Sequence, residues 1–180
     1  MSYITTVTGK HFDPVAPDGS LIDIVDIAHA LSLLCRANGH VRHFYSVAQH
    51  SVACAEEALA RGCSRSTALL CLLHDASEAY ISDVTRPVKK DLSRYLAVEE
   101  RLQNAIYLKF AGRLPSEEEK STVAAIDDAM LSMEFHLLMP EELGDAYKDL
   151  VSAVTCEEIS PACARQRFSE SFAALAQPSL

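Results

Sequence analysis

The chain has 180 residues, 49% hydrophobic and 23% charged, with 25 acidic and 16 basic residues and a formal net charge of −9. That length and composition suit one compact domain with a real core and exclude a disordered chain. The acidic balance repels duplex nucleic acid, and the most basic stretch, RPVKKDLSR, is too short to form a binding stripe, although a metal cation and one or two basic side chains could still hold a small phosphate.

In chain order, residues 1–22 carry Gly9, Pro14, Pro17 and Gly19 among scattered apolar residues and predict an extended segment or short hairpin. From Asp23 onward the apolar period is helical. Residues 23–36 put Ile24, Ile27, Ala28, Leu31 and Leu34 on one face, and Asn38-Gly39 breaks that helix. Ser46 caps a second helix that stops near Gly62, and Ser64 caps a third over about 64–80. Pro87 interrupts the stretch after it. A fourth helix covers about 92–111 and stops at Gly112, and Ser116 with Glu119 forms a capping box that opens a fifth, ending near Met139 before Pro140. A last helix spans 161–175. The expectation is a single all-α domain: an N-terminal segment, 1–22, followed by a helical bundle, 23–180.

No apolar run approaches the roughly 20 residues needed to span a bilayer. The opening MSYITTVTGK lacks a charged stretch leading into an apolar one, so no secretion signal is read and a cytoplasmic location is expected. The six cysteines form no C-x-x-C pair. Several lie among Leu and Ala, as in LLCLLHD, which predicts reduced thiols packed as small hydrophobes.

Chemistry concentrates in two places. His50 and the His74-Asp75 pair both come after apolar stretches, where a charged group is costly unless paired or metal-bound. Glu78 lies four residues beyond His74, on the same side of a continuous helix. In the fifth helix, Val123, Ile126, Met130, Met133 and Leu137 form an apolar stripe. At about 100° per residue, Asp127 falls at its edge, Glu134 near its centre and Asp128 well away. Acids on a core-facing stripe need a partner, and a cation is the economical one.

The pattern H…HD…D resembles the HD-domain metal-dependent phosphohydrolases. GHVRHFYSVAQHS, HDASEAYISDVTRPVK and IDDAMLSME are similar to segments of the bacterial HD-domain 5′-deoxynucleotidases and of small prophage-type HD phosphohydrolases, over residues 8–137. The resemblance implies an HD-type helical bundle holding one divalent transition metal (Mn, Co, Fe, Ni or Zn) through His50, His74, Asp75 and Asp127, with Asp127 preferred over Asp128 by helix phase. It implies catalytic carboxylates at Glu78 and Asp83, against the plainer readings of a surface residue and a helix cap. Arg36 matches a phosphate-holding arginine, and Lys89 a basic residue near the phosphate or else a solvated lysine. His40 and His43 could line the pocket, whereas His11, His29 and His136 read as structural or surface residues. The deoxynucleotidases place Trp after the arginine. Here Ala37 comes after Arg36, so weaker rejection of a ribose hydroxyl is expected. No histidine occurs between His74 and His136, which favours one metal over two and disfavours cyclic-nucleotide phosphodiesterase chemistry.

The implied activity is release of phosphate from (deoxy)nucleoside 5′-monophosphates. The alternatives are a nucleoside triphosphate triphosphohydrolase or pyrophosphohydrolase, and a non-catalytic nucleotide-binding accessory protein. A homodimer or higher oligomer is expected by analogy.

Overall fold

A computed structural model describes residues 3–139 and 150–177. The predicted N-terminal ribbon is a hairpin of β1 (Ile4–Thr5) and β2 (His11–Phe12), with Ile4 opposite Phe12. Gly9 turns the chain at φ +81°, where a Cβ would be strained. Phe12 is fully buried with its ring 4.4 Å from that of Tyr80, and Asp26 accepts hydrogen bonds from the amide and hydroxyl of Thr8, each 2.9 Å. These contacts fasten the ribbon to the helices.

The described helices are α1 (Ile24–Leu33), α2 (Val47–Ala60), α3 (Arg65–Leu73), α4 (Glu78–Ile81), α5 (Arg86–Lys89), α6 (Ser93–Phe110), α7 (Glu117–Leu138) and α8 (Pro161–Leu175). Helix α2 packs on α3 and α7, and α8 closes over α1, α2 and α3. Leu31, Val47, Leu70, Leu73, Ile106, Ile126 and Phe168 are fully buried between them. No described helix is long and apolar enough to cross a membrane. Local signals set most boundaries. Ser46 and Ser116 make capping boxes with Gln49 and Glu119, Ser64 and Ser160 are N-caps, and Gly62 and Gly112 end helices at positive φ. Pro140, the expected stop after α7, lies outside the described residues.

Three helical expectations need correction. The first helix ends at Leu33, not Arg36, because residues 34–36 are extended and pair with 45–47: Val47 N–H donates to the Leu34 carbonyl at 3.0 Å, and Arg36 N–H to that of Tyr45 at 2.9 Å. The third helix is two helices, broken over residues 74–77. On α7, Leu137 is exposed and Leu138 is buried, so the stripe finishes one residue later than predicted.

Glu57 anchors the segment at Val151 and Ser152. Its buried carboxylate accepts from the amides of Val151 and Ser152, from the Ser152 hydroxyl and from Arg61. Burial pushes its pKa up, but the Ser152 and Arg61 bonds prevail and hold it below the ordinary 4.5. Its contribution is therefore present above pH 4.5 and lost as pH falls through the depressed value. Glu57→Ala strands the Val151 and Ser152 donors and is expected to cost about 3 kcal/mol, a fall in Tm of roughly 6–12 °C by thermal unfolding at neutral pH.

Candidate active site

Helices α2 and α7 supply His50 and Asp127, and the turn that ends α3 adds His74 and Asp75. His50 Nε2 lies 3.3 Å from His74 Nε2 and 3.1 Å from Asp127 Oδ1, and His74 Nε2 lies 3.3 Å from Asp75 Oδ2 and 3.6 Å from Asp127 Oδ1. The His50 Nε2–Asp75 Oδ2 distance is 3.7 Å.

The other ring nitrogens decide what these atoms can do. His50 Nδ1 bonds Glu134 Oε1 at 2.7 Å, and His74 Nδ1 donates to the Cys71 carbonyl at 2.7 Å. Carboxylate and carbonyl partners place the protons on Nδ1, so two Nε2 lone pairs face each other and two carboxylate oxygens. Such a cluster needs a cation. Donors bound at about 2.1 Å to one ion stand roughly 3.0–3.4 Å apart, close to the spacings observed. The electrostatics agree: burial opposes charge on every member, yet Asp75 stays below the usual carboxylate range through His74, and Asp127 through its bonds to His50 and His74. Despite burial, both histidines are pushed well above 6.5, His74 chiefly by Asp75 and His50 by Cys54 and Glu134, so the cluster draws in positive charge, as a proton on the rings wherever a metal does not take the Nε2 lone pairs. The residues present therefore fit a divalent metal.

Cys54, read from sequence as a core residue, joins this group. His50, Cys54 and His74 have donor atoms all within 4.8 Å of one another and could hold a metal. Cys54 Sγ is 3.6 Å from Nε2 and 4.0 Å from Nδ1 of His50. Near-equal distances put it beside the imidazole rather than along the Nε2 lone pair, so Asp75 and Asp127 are better placed as the remaining donors. The signal for Cys54 was its position one helical turn after His50.

Two backbone irregularities deliver the site residues. In an uninterrupted helix, the Leu73 carbonyl would accept from the Ser77 amide. Here the Gln103 carboxamide of α6 stands between them, donating to Leu73 O at 2.7 Å and accepting from Ser77 N at 3.1 Å. The His74 ring also takes the Cys71 carbonyl that the Asp75 amide would have used. Residues 74–77 turn tightly, and Asp75 and Glu78 reach one cleft without sharing a continuous helix. The second irregularity is the turn Arg36–Gly39, where Ala37 and Asn38 are left-handed at φ 50° and 52°. Ala37 has no side-chain means of offsetting that strain, which the surrounding structure must hold. The turn sends Arg36 inward, its Nε 3.2 Å from Glu134 Oε2 and its Nη1 3.6 Å from Asp75 Oδ2. Burial disfavours its charge, but Glu134, Asp75, Asp83 and Asp127 raise its pKa further.

Glu134 is the main correction to the sequence reading. Its partners are His50 and Arg36, so it supports the cluster from behind.

The cluster opens on a cleft of about 480 Å³. Arg36, Asp75, Glu78, Asp83, Arg86, Lys89 and Asp127 supply its charged lining, and Ala37 and His40 also line it. Glu78 Oε2 is buried with no hydrogen-bond partner. Burial, then the charges of Asp75 and Asp83, push the Glu78 carboxyl up to about 9 against the pull of Arg36 and Lys89. Asp83 is raised by burial, which outweighs Arg36. Lys89 lines the cleft and is tethered to Glu99 at 2.5 Å, so it is not a free solvated lysine. His43 is not brought there: its Nε2 bonds the Cys156 carbonyl at 2.7 Å. Asp128 faces solvent and pairs with Arg86, a cleft residue that sequence reasoning passed over. Along α7, Asp127, Leu131, Phe135 and Met139 line the cleft at four-residue steps, an apolar ridge leading away from the metal-type cluster.

Fold and cluster define a helical domain with a paired histidine–aspartate centre. Residues 35–145 match the HD domain, and the chain belongs to that family of metal-dependent phosphohydrolases. It is 42% identical over 112 residues to the uncharacterized protein YfdR of Escherichia coli (strain K12), a match covering 61% of this chain and 59% of that protein. It is 35% identical over 127 residues to an uncharacterized protein of Rhodobacter capsulatus, covering 66% of this chain and 64% of the relative. The matched region thus spans less than two thirds of each relative's length.

Proposed function

We propose that the protein is a 5′-nucleotidase, releasing phosphate from (deoxy)nucleoside 5′-monophosphates. The observation that carries this reading is the two-ended cleft: a cationic and metal-type end at Arg36, Lys89 and Asp127, and an apolar ridge at Leu131, Phe135 and Met139. At about 1.5 Å rise per residue, Leu131 and Phe135 lie roughly 6 and 12 Å along α7 from Asp127, the reach from a phosphate to a base. His50, His74, Asp75 and Asp127 would hold a divalent metal, which would supply Lewis acidity at this end of the cleft. Arg36 presents a fixed fork to the phosphate, with Lys89 beside it. Glu78 accepts a proton from the attacking water. As the bond between phosphorus and the 5′-oxygen breaks, Asp83, whose pKa burial raises, gives a proton to the leaving oxygen.

The test is a metal-reconstituted screen of nucleoside mono-, di- and triphosphates with product identification. Phosphate from monophosphates supports the reading. Triphosphate or pyrophosphate release assigns the alternative hydrolase, and binding without turnover assigns the accessory role. Matched deoxy and ribo substrates test Ala37, which lines the cleft and offers no wall against a 2′-hydroxyl. Phe135→Ala is expected to raise KM for a nucleoside monophosphate about tenfold and to leave KM for a base-free sugar phosphate unchanged. Equal effects on both would remove Phe135 from base binding.

A further inference from the structure

The tandem Asp127-Asp128 has one member in the cluster and the other at the surface, and a single side chain joins them. Arg86 Nη2 donates to Asp127 Oδ2 at 2.6 Å, and Arg86 Nη1 to Asp128 Oδ1 at 2.6 Å. Adjacent residues on a helix point about 100° apart, so one planar fork can reach both only from between them. Arg86 comes from α5, immediately after the segment that carries Asp83. Asp127 uses its two oxygens differently. Oδ2 is taken by Arg86, and Oδ1 faces His50 and His74. An aspartate carboxylate turns freely about its last bond unless something holds one oxygen. A charge-assisted bond to a guanidinium is a strong hold of this kind, and a lysine would supply a point charge without the fork.

We propose that Arg86 is a positioning residue for the metal centre: it fixes Asp127 as a one-oxygen donor, and Asp128 is the anchor that fixes Arg86. This rests on the reading of His50, His74, Asp75 and Asp127 as metal ligands. It gives the second aspartate of the pair a task that coordination does not. Partners of this kind typically change metal affinity by about 10–100-fold when removed. The Arg86 side chain is 57% exposed, so its loss leaves no cavity.

The experiment measures metal affinity by chelator competition, with Co(II) absorption reporting coordination, on the full chain and on Arg86→Ala, Arg86→Lys, Asp128→Asn and the Arg86→Ala/Asp128→Asn double variant. Circular dichroism verifies folding, and Arg86→Gln replaces Arg86→Ala should the latter misfold. The expected result is an affinity about 10–100-fold lower for Arg86→Ala, a smaller loss for Asp128→Asn, partial recovery in Arg86→Lys, and no added loss in the double variant. Wild-type affinity and spectrum in Arg86→Ala overturn the proposal. So does a raised KM with metal affinity unchanged, which would make Arg86 a substrate contact. A full Asp128→Asn effect persisting without Arg86 overturns the anchoring. A wild-type chain that binds no metal instead brings down the ligand reading, and this inference with it.

Discussion

Glu134→Ala is expected to be the most damaging single change in the site, lowering stability by about 3–5 kcal/mol and abolishing tight metal binding. Glu134 is 2% exposed and satisfies two buried cationic or polar groups, His50 Nδ1 and Arg36 Nε. Removing it leaves the Arg36 charge facing the cluster without its nearest counter-charge. It also frees His50 to change tautomer, which would turn a protonated Nε2 toward His74. Glu134→Gln separates the two effects. Its single carbonyl oxygen can accept from one of the two partners, so an intermediate loss is expected. Denaturant unfolding gives the stability, and chelator competition gives the metal affinity. A Glu134→Ala protein that melts like wild type and binds metal normally would show that Arg36 and His50 are held by something else.

Glu78→Gln is expected to lower kcat by about 10²–10⁴-fold while metal affinity and KM stay near wild type. The substitution keeps size and polarity, so the buried site is not opened. What it removes is the ability to take a proton. The partnerless Oε2 of Glu78, in a cleft shared with Asp75 and Asp83, is the structural motive. A divalent cation beside Asp75 would offset that carboxylate's share of the push on Glu78, which comes second to burial, and would draw the carboxyl toward the ionised form that takes a proton. The measurement is steady-state kinetics on the substrate found in the screen, with metal content determined on the same samples. Near-normal kcat returns Glu78 to a packing role, and loss of the metal would make it a ligand.

What the sequence by itself determined is mostly local. Ser46, Ser64, Ser116 and Ser160 each satisfy the first free amides of a helix, and Gly62 and Gly112 permit the left-handed residue that ends one. These choices depend on neighbours within a few positions, so their consequences appear at the predicted boundaries. The helical phase of α7 placed Asp127 toward the cluster and Asp128 away from it for the same reason. The spaced His50, His74-Asp75 and Asp127 carried the family. Tertiary structure decided the rest, where a distant group outcompeted a local hydrogen bond. Gln103, some 30 residues on, occupies the helical bond between Leu73 and Ser77 and so breaks the predicted third helix. Residues 45–47 draw 34–36 out of α1 and turn Arg36 into the site. Glu134 was visible as a misplaced charge on an apolar stripe. Its partners lie 84 and 98 residues away, and only the packed helices could show that they are a histidine and an arginine.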